Sequence, residues 1–284
     1  MKTLEDHLTE YCRDGFTIFR QYLAAQKLTA LRKILDPIMQ ARFANDADLR
    51  RAGIGDALSN EPLTPYLNDH LINPMLLDFA ERVIGPYVQL DSYRIVGFPT
   101  KAEHLKNQVD LWHRDAFNLT ETWATYSLSY TQEPRPYTPP MACNCLTYLQ
   151  DMNAETGSLR VIPGSHLDYT FIPEADAKNP HPNEKLIRLN AGDMVFTHCE
   201  LLHSGSLNSS SDIRYFVSIY LQRFGLPHRD NFATPAIKTI LQTAKKRNDR
   251  RTMRLFGDDE TLHQRQQAAW QRMIEEDKQA ILAE

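Results

Sequence analysis

From residue 87 to residue 224 the chain is a succession of short β-like runs cut by turns rich in proline and glycine. This texture limits the fold more than any other feature. The runs fall at 87–98, 122–130, 143–149, 158–162, 184–189, 193–203 and 214–224. Segments this short, rich in β-branched and aromatic residues, must pair with one another and bury at least one face. The expectation is a mainly β fold, a barrel or a sandwich.

Helical periodicity flanks this region. Residues 3–14 place Leu4, Leu8 and Tyr11 on one side, Gly15 ends the segment, and 16–19 reads as a short strand. Residues 24–43 repeat Leu28, Leu31, Ile34, Leu35 and Ile38 at helical spacing. Pro37 is expected to kink that helix or start a new one. Asn73-Pro74 reads as an N-cap followed by a first-turn proline, opening a helix that Gly85-Pro86 stops. Beyond residue 231, 234–247 and 259–282 read as helices. The chain is therefore expected to be one domain over 1–284: helical support at 1–86, a β core at 87–224 and a helical extension at 231–284. The C-terminal helices are a candidate homodimer surface. With 284 residues a single core buries about three quarters of the unfolded surface, so neither disulfide nor structural metal is needed.

Composition excludes several functions. Lys+Arg is 32 against 36 Asp+Glu, a net charge of −4 that suits nucleic acid poorly. No apolar run approaches the ~20 residues of a membrane span. The N-terminus carries acids where a signal peptide would be apolar. A cytoplasmic protein acting on a small molecule, with no membrane or nucleic-acid partner, is expected. Cys12, Cys143, Cys145 and Cys199 form no CxxC pair and read as free thiols.

The chemistry gathers at Trp112-His113-Arg114-Asp115. Alternate strand residues share a face, so His113 and Asp115 can address one metal. A second imidazole is required from elsewhere. His203 ends the strand-like MVFTHCELLH, ahead of the turn-rich SGSLNSSSD, and Arg214 opens the next strand eleven residues on. Two imidazoles and one carboxylate form the facial triad of non-haem Fe(II) oxygenases, leaving room for a 2-oxoacid and dioxygen. The far carboxylate of such an acid needs a buried cation, and arginine has the matching geometry.

This order and spacing resembles the phytanoyl-CoA dioxygenase family of Fe(II)/2-oxoglutarate oxygenases. Two further motifs agree: Gly157-Ser158-Leu159-Arg160-Val161-Ile162-Pro163-Gly164-Ser165-His166, and Gly192-Asp193-Met194-Val195-Phe196 followed by His203 and Asn208. The resemblance covers about residues 10–224. It implies a double-stranded β-helix, a jelly roll or cupin-like barrel with flanking helices. It also implies His113, Asp115 and His203 as catalytic iron ligands, Arg214 as the 2-oxoglutarate anchor, and Fe(II), 2-oxoglutarate and O2 as cofactor and cosubstrates. The family often has a serine two residues after the distal histidine. That position is Gly205 here, which makes Ser204 and Ser206 candidates for its role. Asn144, with the parity of Leu146 and Tyr148, is a candidate contact for 2-oxoglutarate or substrate. Tyr93, Arg94, Trp112 and Phe117 are candidate substrate contacts; of Tyr93 and Arg94 only one faces inward, and parity does not say which. His166 reads as structural and His198 as a packed or surface histidine.

The implied reaction is oxidation, in the first place hydroxylation, of a C–H bond in a small polar metabolite or natural-product intermediate, releasing succinate and CO2. A halogenase of this class would have a small residue in place of Asp115. The alternative is a non-redox metal-binding cupin-like barrel, an isomerase, hydrolase or binding protein, since zinc accepts the same ligands. Arg214 separates the two readings, because a hydrolase needs no 2-oxoacid anchor. The polar stretch 168–183 and the segment 120–140 are expected to flank the mouth of the site.

Overall fold

The computed structural model describes residues 2–115, 137 and 139–259, except positions 47, 56, 61, 102, 103, 105, 107, 169, 170 and 227, together with eight positions between 264 and 279. The expected strand at 122–130, Phe117 and most of the helix expected at 259–282 lie outside the described residues.

The N-terminal third is built from helices with two strands inserted. Helix α1 (Leu4–Asp14) is closed by a reciprocal cap between Thr3 and Asp6 and stopped by Gly15 in the left-handed region. Strand β1 (Phe16–Phe19) follows, then α2 (Ala25–Asn45), β2 (Ala52–Ile54), α3 (Thr64–Leu71) and α4 (Pro74–Ile84). Helix α2 runs unbroken past Pro37, because Leu28, Leu31, Leu35 and Met39 anchor it on one buried side. Pro37 therefore does not start a new helix. Asn73 caps α4 by accepting from the Met75 amide, with Pro74 in the first turn, as its sequence predicts.

Strand β3 is Val88–Phe98, β4 Ala142–Tyr148, β5 Leu159–Val161, β6 Lys185–Ile187, β7 Met194–His198, β8 His203–Gly205 and β9 Arg214–Arg223. They form two sheets: six antiparallel strands in the order β1-β7-β4-β9-β3-β2, and three in the order β6-β5-β8. The run expected as one strand at 193–203 is two. Strand β7 belongs to the larger sheet and β8 to the smaller, and the chain crosses between sheets over residues 199–202. The protein has a jelly-roll architecture, and the larger sheet is not closed into a barrel.

Period-two alternation divides the larger sheet into two apolar faces. Tyr93, Ile95, Cys145, Phe196, Tyr215 and Val217 meet the helices in one core. Leu146, Tyr148 and Val195 face the smaller sheet, where Leu159, Val161 and Ile187 complete a second core. Helices α5 (Pro235–Lys246) and α6 (Arg250–Leu255) return to the first core through Ile237, Ile240, Leu255 and Phe256. Among the described residues no helix is long and apolar enough to cross a membrane.

The family-like motifs have structural work in this frame. Buried Asp193 takes Arg20 at 2.6 Å and the Gln21 amide at 2.8 Å, tying β1 to the start of β7. Ser165 accepts the Leu202 amide at 2.9 Å, and its carbonyl takes the Arg114 guanidinium at 2.7 Å. The His166 ring reaches the Cys12 carbonyl at 3.1 Å. The turn at 163–166 thus ties the end of α1 to both segments that carry metal-type ligands.

Candidate active site

Residues 109–113 run antiparallel to the end of β8, with bridges Val109↔Ser206 and His113↔His203. Between these bridges the 109–113 side carries one residue more than its partner. An extra residue shifts which side chains face inward. Here it sets His113, rather than Trp112, opposite His203. The Leu111 amide within this irregular stretch is satisfied by the Ser204 hydroxyl at 3.1 Å.

Each histidine donates its Nδ1 proton to the carbonyl two residues before it. His113 reaches Leu111 at 2.8 Å and His203 reaches Leu201 at 3.0 Å. That leaves both Nε2 lone pairs free. Each Nε2 lies 3.8 Å from the same atom, Oδ1 of Asp115. Bonds of about 2.1 Å let one cation span either pair. The three ligand atoms lie within 4.8 Å of one another, and His113, Asp115 and His203 form the only such group among the described residues. Burial, and then the neighbouring His203, push the His113 imidazole below its ordinary value, which favours the neutral ligand form. The other carboxylate oxygen of Asp115 is held by the Asn144 amide at 2.9 Å, and Ser218 donates to the Asn144 carbonyl oxygen at 2.8 Å.

Arg214 is buried at the start of β9. Its Nη1 donates to the carbonyls of Gly157 at 2.8 Å and Ser206 at 2.5 Å, and its guanidinium lies 4.3 Å from the centre of the Phe98 ring. Its Nε has no hydrogen-bond partner among the described residues.

The phytanoyl-CoA dioxygenase (PhyH) family profile matches residues 11–216. The chain belongs to the phytanoyl-CoA dioxygenase family. It is an Fe(II)- and 2-oxoglutarate-dependent dioxygenase. It is 24% identical over 233 residues to an ectoine dioxygenase of Bordetella parapertussis, covering 72% of this chain and 70% of that protein. Among solved structures it is similar to HygX from Streptomyces hygroscopicus with nickel and 2-oxoglutarate bound (TM-score 0.59, 15% identity, 82% of this chain and 92% of that one). It is also similar to SnoN, a non-haem α-ketoglutarate-dependent epimerase from nogalamycin biosynthesis (TM-score 0.53, 21% identity, 78% and 80% covered).

Other candidates of this phytanoyl-CoA dioxygenase-family chain are distributed less simply. Ser204 and Ser206 alternate with His203 and Gly205 along the strand, so their hydroxyls occupy the other face of the smaller sheet. Ser204 is engaged by Leu111, and Ser206 accepts from Arg160 at 2.8 Å. It is Gly205 that adjoins the arginine: a Cβ there would stand 3.5 Å from Arg214 Nη2. Tyr93 is no substrate contact, because it points into the helical core and bonds the His70 ring at 2.6 Å. Register answers the parity question in favour of Arg94, which pairs with Ser218 across β3 and β9 and so shares its face. Arg94 meets Asp230 at 3.5 Å. Trp112 is turned away from the site into a small cluster with Val109, Ile162 and Leu202, and its indole donates to the Asn179 carbonyl at 2.8 Å. It braces residues 177–179, whose Lys178 lines the cleft, rather than walling the pocket. His198 is buried, with its ring 4.9 Å from that of His166.

Sequence reasoning missed Ser218, although parity counted along β9 from Arg214 reaches it. It also missed the cleft. A cavity of about 640 Å³ opens over His113 and Asp115, lined by Arg50, Arg51, Lys101 and Lys178 among others. These four lie in irregular segments with no periodicity to report their direction.

Proposed function

We propose that His113, Asp115 and His203 hold the iron, that Arg214 binds the far carboxylate of 2-oxoglutarate, and that the enzyme hydroxylates a C–H bond of a small polar metabolite or natural-product intermediate. The observation that carries this reading is the convergence of the His113 and His203 Nε2 atoms on one oxygen of Asp115, each at 3.8 Å. The bound iron supplies C–H oxidation coupled to conversion of 2-oxoglutarate into succinate and CO2.

The protein's own residues prepare the site. The carbonyls of Leu111 and Leu201 select the tautomer in which both Nε2 atoms are ligands. Asn144, held by Ser218, occupies the outer oxygen of Asp115 and turns the inner one toward the histidines. Burial pushes the Arg214 pKa down, the mark of a charge removed from water. Its unpartnered Nε fits an incoming carboxylate, which would restore a charge-assisted pair. The ectoine dioxygenase likeness supports a small polar substrate, and the likeness to SnoN supports a natural-product one. Self-association through the C-terminal helices belongs to the same proposal and is read from sedimentation velocity.

The test is anaerobic titration with Fe(II) and 2-oxoglutarate, followed by a metabolite panel scored for succinate. A weak visible charge-transfer band and substrate-dependent succinate are expected. Protein that takes up one equivalent of iron yet shows neither would sink the reading, and His203→Ala retaining wild-type turnover would remove His203 from the ligand set.

A further inference from the structure

We propose that the cleft over the triad receives a substrate bearing an anionic oxygen group, a carboxylate, phosphate or sulfate, on an apolar body. This inference rests on the oxygenase reading above and names the substrate class of the same site.

The cleft lining carries Arg50, Arg51, Lys101 and Lys178 against two carboxylates, Asp110 and Asp115. Asp110 is taken by Arg50 at 2.7 Å, and Asp115 is turned to the histidines. Arg51, Lys101 and Lys178 make no ion pair among the described residues. The chain as a whole is acidic, with a net charge of −4, so this local excess of positive charge is not a sample of the general surface. Like charges around one concavity repel one another, and such a cleft concentrates ligands of opposite sign.

The positions from which these cations extend are tied down. The Lys101 amide donates to the Asn208 carbonyl at 2.6 Å. Lys178 sits between Ala177 and Asn179, whose carbonyls accept the backbone and indole N–H groups of Trp112. Trp112 in turn adjoins His113. One cation of the cleft thus extends from backbone that is tied to the segment carrying His113. The proposed cosubstrate anchor is a different cation, Arg214, which lies against the Phe98 ring. Phe98, Leu111 and Leu207 supply apolar wall. A volume of about 640 Å³ falls within the range for small-molecule sites, roughly 300–1,000 Å³.

The experiment uses the full-length enzyme loaded anaerobically with Fe(II) and 2-oxoglutarate, titrated calorimetrically with benzoate, phenyl phosphate and benzamide. Both anions are expected to bind at least about tenfold more tightly than benzamide, and less tightly as salt rises. The Lys101→Gln/Lys178→Gln double variant is expected to lose about tenfold for the anions and nothing for benzamide. Comparing benzoate with phenyl phosphate shows which oxygen group the cleft prefers. Benzamide matching the anions, no detectable anion binding, or anion binding unchanged in the variant overturns the proposal. A raised 2-oxoglutarate requirement with unchanged anion binding also overturns it, by assigning the lysines to the cosubstrate. The Fe(II)/2-oxoglutarate charge-transfer band is recorded in the same samples. A missing band with anion binding intact removes the oxygenase reading and leaves the anion site standing.

Discussion

Asn144 shows how much one side chain's neighbours matter. Its parity puts it on the inner face, but its amide is engaged by the outer oxygen of Asp115 and by Ser218. Under the proposed iron site it would act through Asp115, as a positioning residue. Asn144→Ala is expected to weaken metal binding by about 10–100-fold. Asn144→Asp should be worse than alanine, because it sets a second negative charge against Asp115. Co(II) titration monitored by its ligand-field absorption reads both variants without requiring turnover. Equal metal affinity across the series would show that Asp115 needs no such support. The triad was legible through the resemblance, since His-x-Asp, then His203, then Arg214 follow the order of the phytanoyl-CoA dioxygenase family. The substitution of the family's serine by Gly205 was legible too, but not its consequence, because the hydroxyls of Ser204 and Ser206 face the other way.

At the scale of elements, the turn into β5 holds Arg214. Gly157 has φ +84°, and a Cβ there would lie 2.4 Å from the Ser206 carbonyl oxygen and 2.6 Å from Arg214 Nη1. No side chain fits without moving the guanidinium. Gly157→Ala is expected to lower stability by roughly 1–3 kcal/mol and to raise the 2-oxoglutarate KM. A variant that folds as well as the parent with unchanged KM would contradict this.

Helix α3 makes a second prediction. Its His70 is buried between Tyr93 on β3 and Thr147 on β4, and burial drives its pKa down to about 3 from 6.5. The unfolded chain therefore takes up a proton below pH 6.5 that the folded one refuses. Stability contributed by the neutral ring is present above 6.5 and declines as pH falls toward 3. From pH 7 to pH 5 this one residue should cost about 2 kcal/mol. Urea unfolding at both pH values, compared with His70→Gln, measures it. A variant with the parent's full acid sensitivity would assign the effect to other groups, such as His7 or His166, whose values burial also lowers.

For the molecule as a whole, the two sheets meet through a compact apolar core and the ligand segments cross between them. Segment 109–115 is tied to β8 by backbone bridges and by the ligands that a metal would draw together. Metal that binds only the folded state stabilises it by mass action, by about 2.7 kcal/mol at a hundred times its Kd. Removing metal with EDTA should lower the Tm, Fe(II) or Co(II) should restore it, and His203→Ala should respond to neither. A variant that keeps the full metal-dependent shift would place the ion elsewhere.

The sequence by itself determined the features whose physics is local. Asn73-Pro74 and Gly15 mark helix ends because caps act within a turn, and the β texture after residue 87 announces sheets because alternation acts between neighbours. Only the His113-x-Asp115 pair was readable on local grounds; His203 and Arg214 were reached through the family resemblance of the motif order. Tertiary structure alone decided which of Tyr93 and Arg94 faces inward, because register against β9 depends on packing both faces of the larger sheet. It alone divided 193–203 between two sheets, since β7 pairs with β1 and β4 while β8 pairs with β5. It alone placed one extra residue between Val109 and His113, which brings His113 opposite His203. The cationic cleft belongs to this second group. Its four cations come from three irregular stretches far apart in the chain, and nothing but the folded arrangement of those stretches brings their charges over one site.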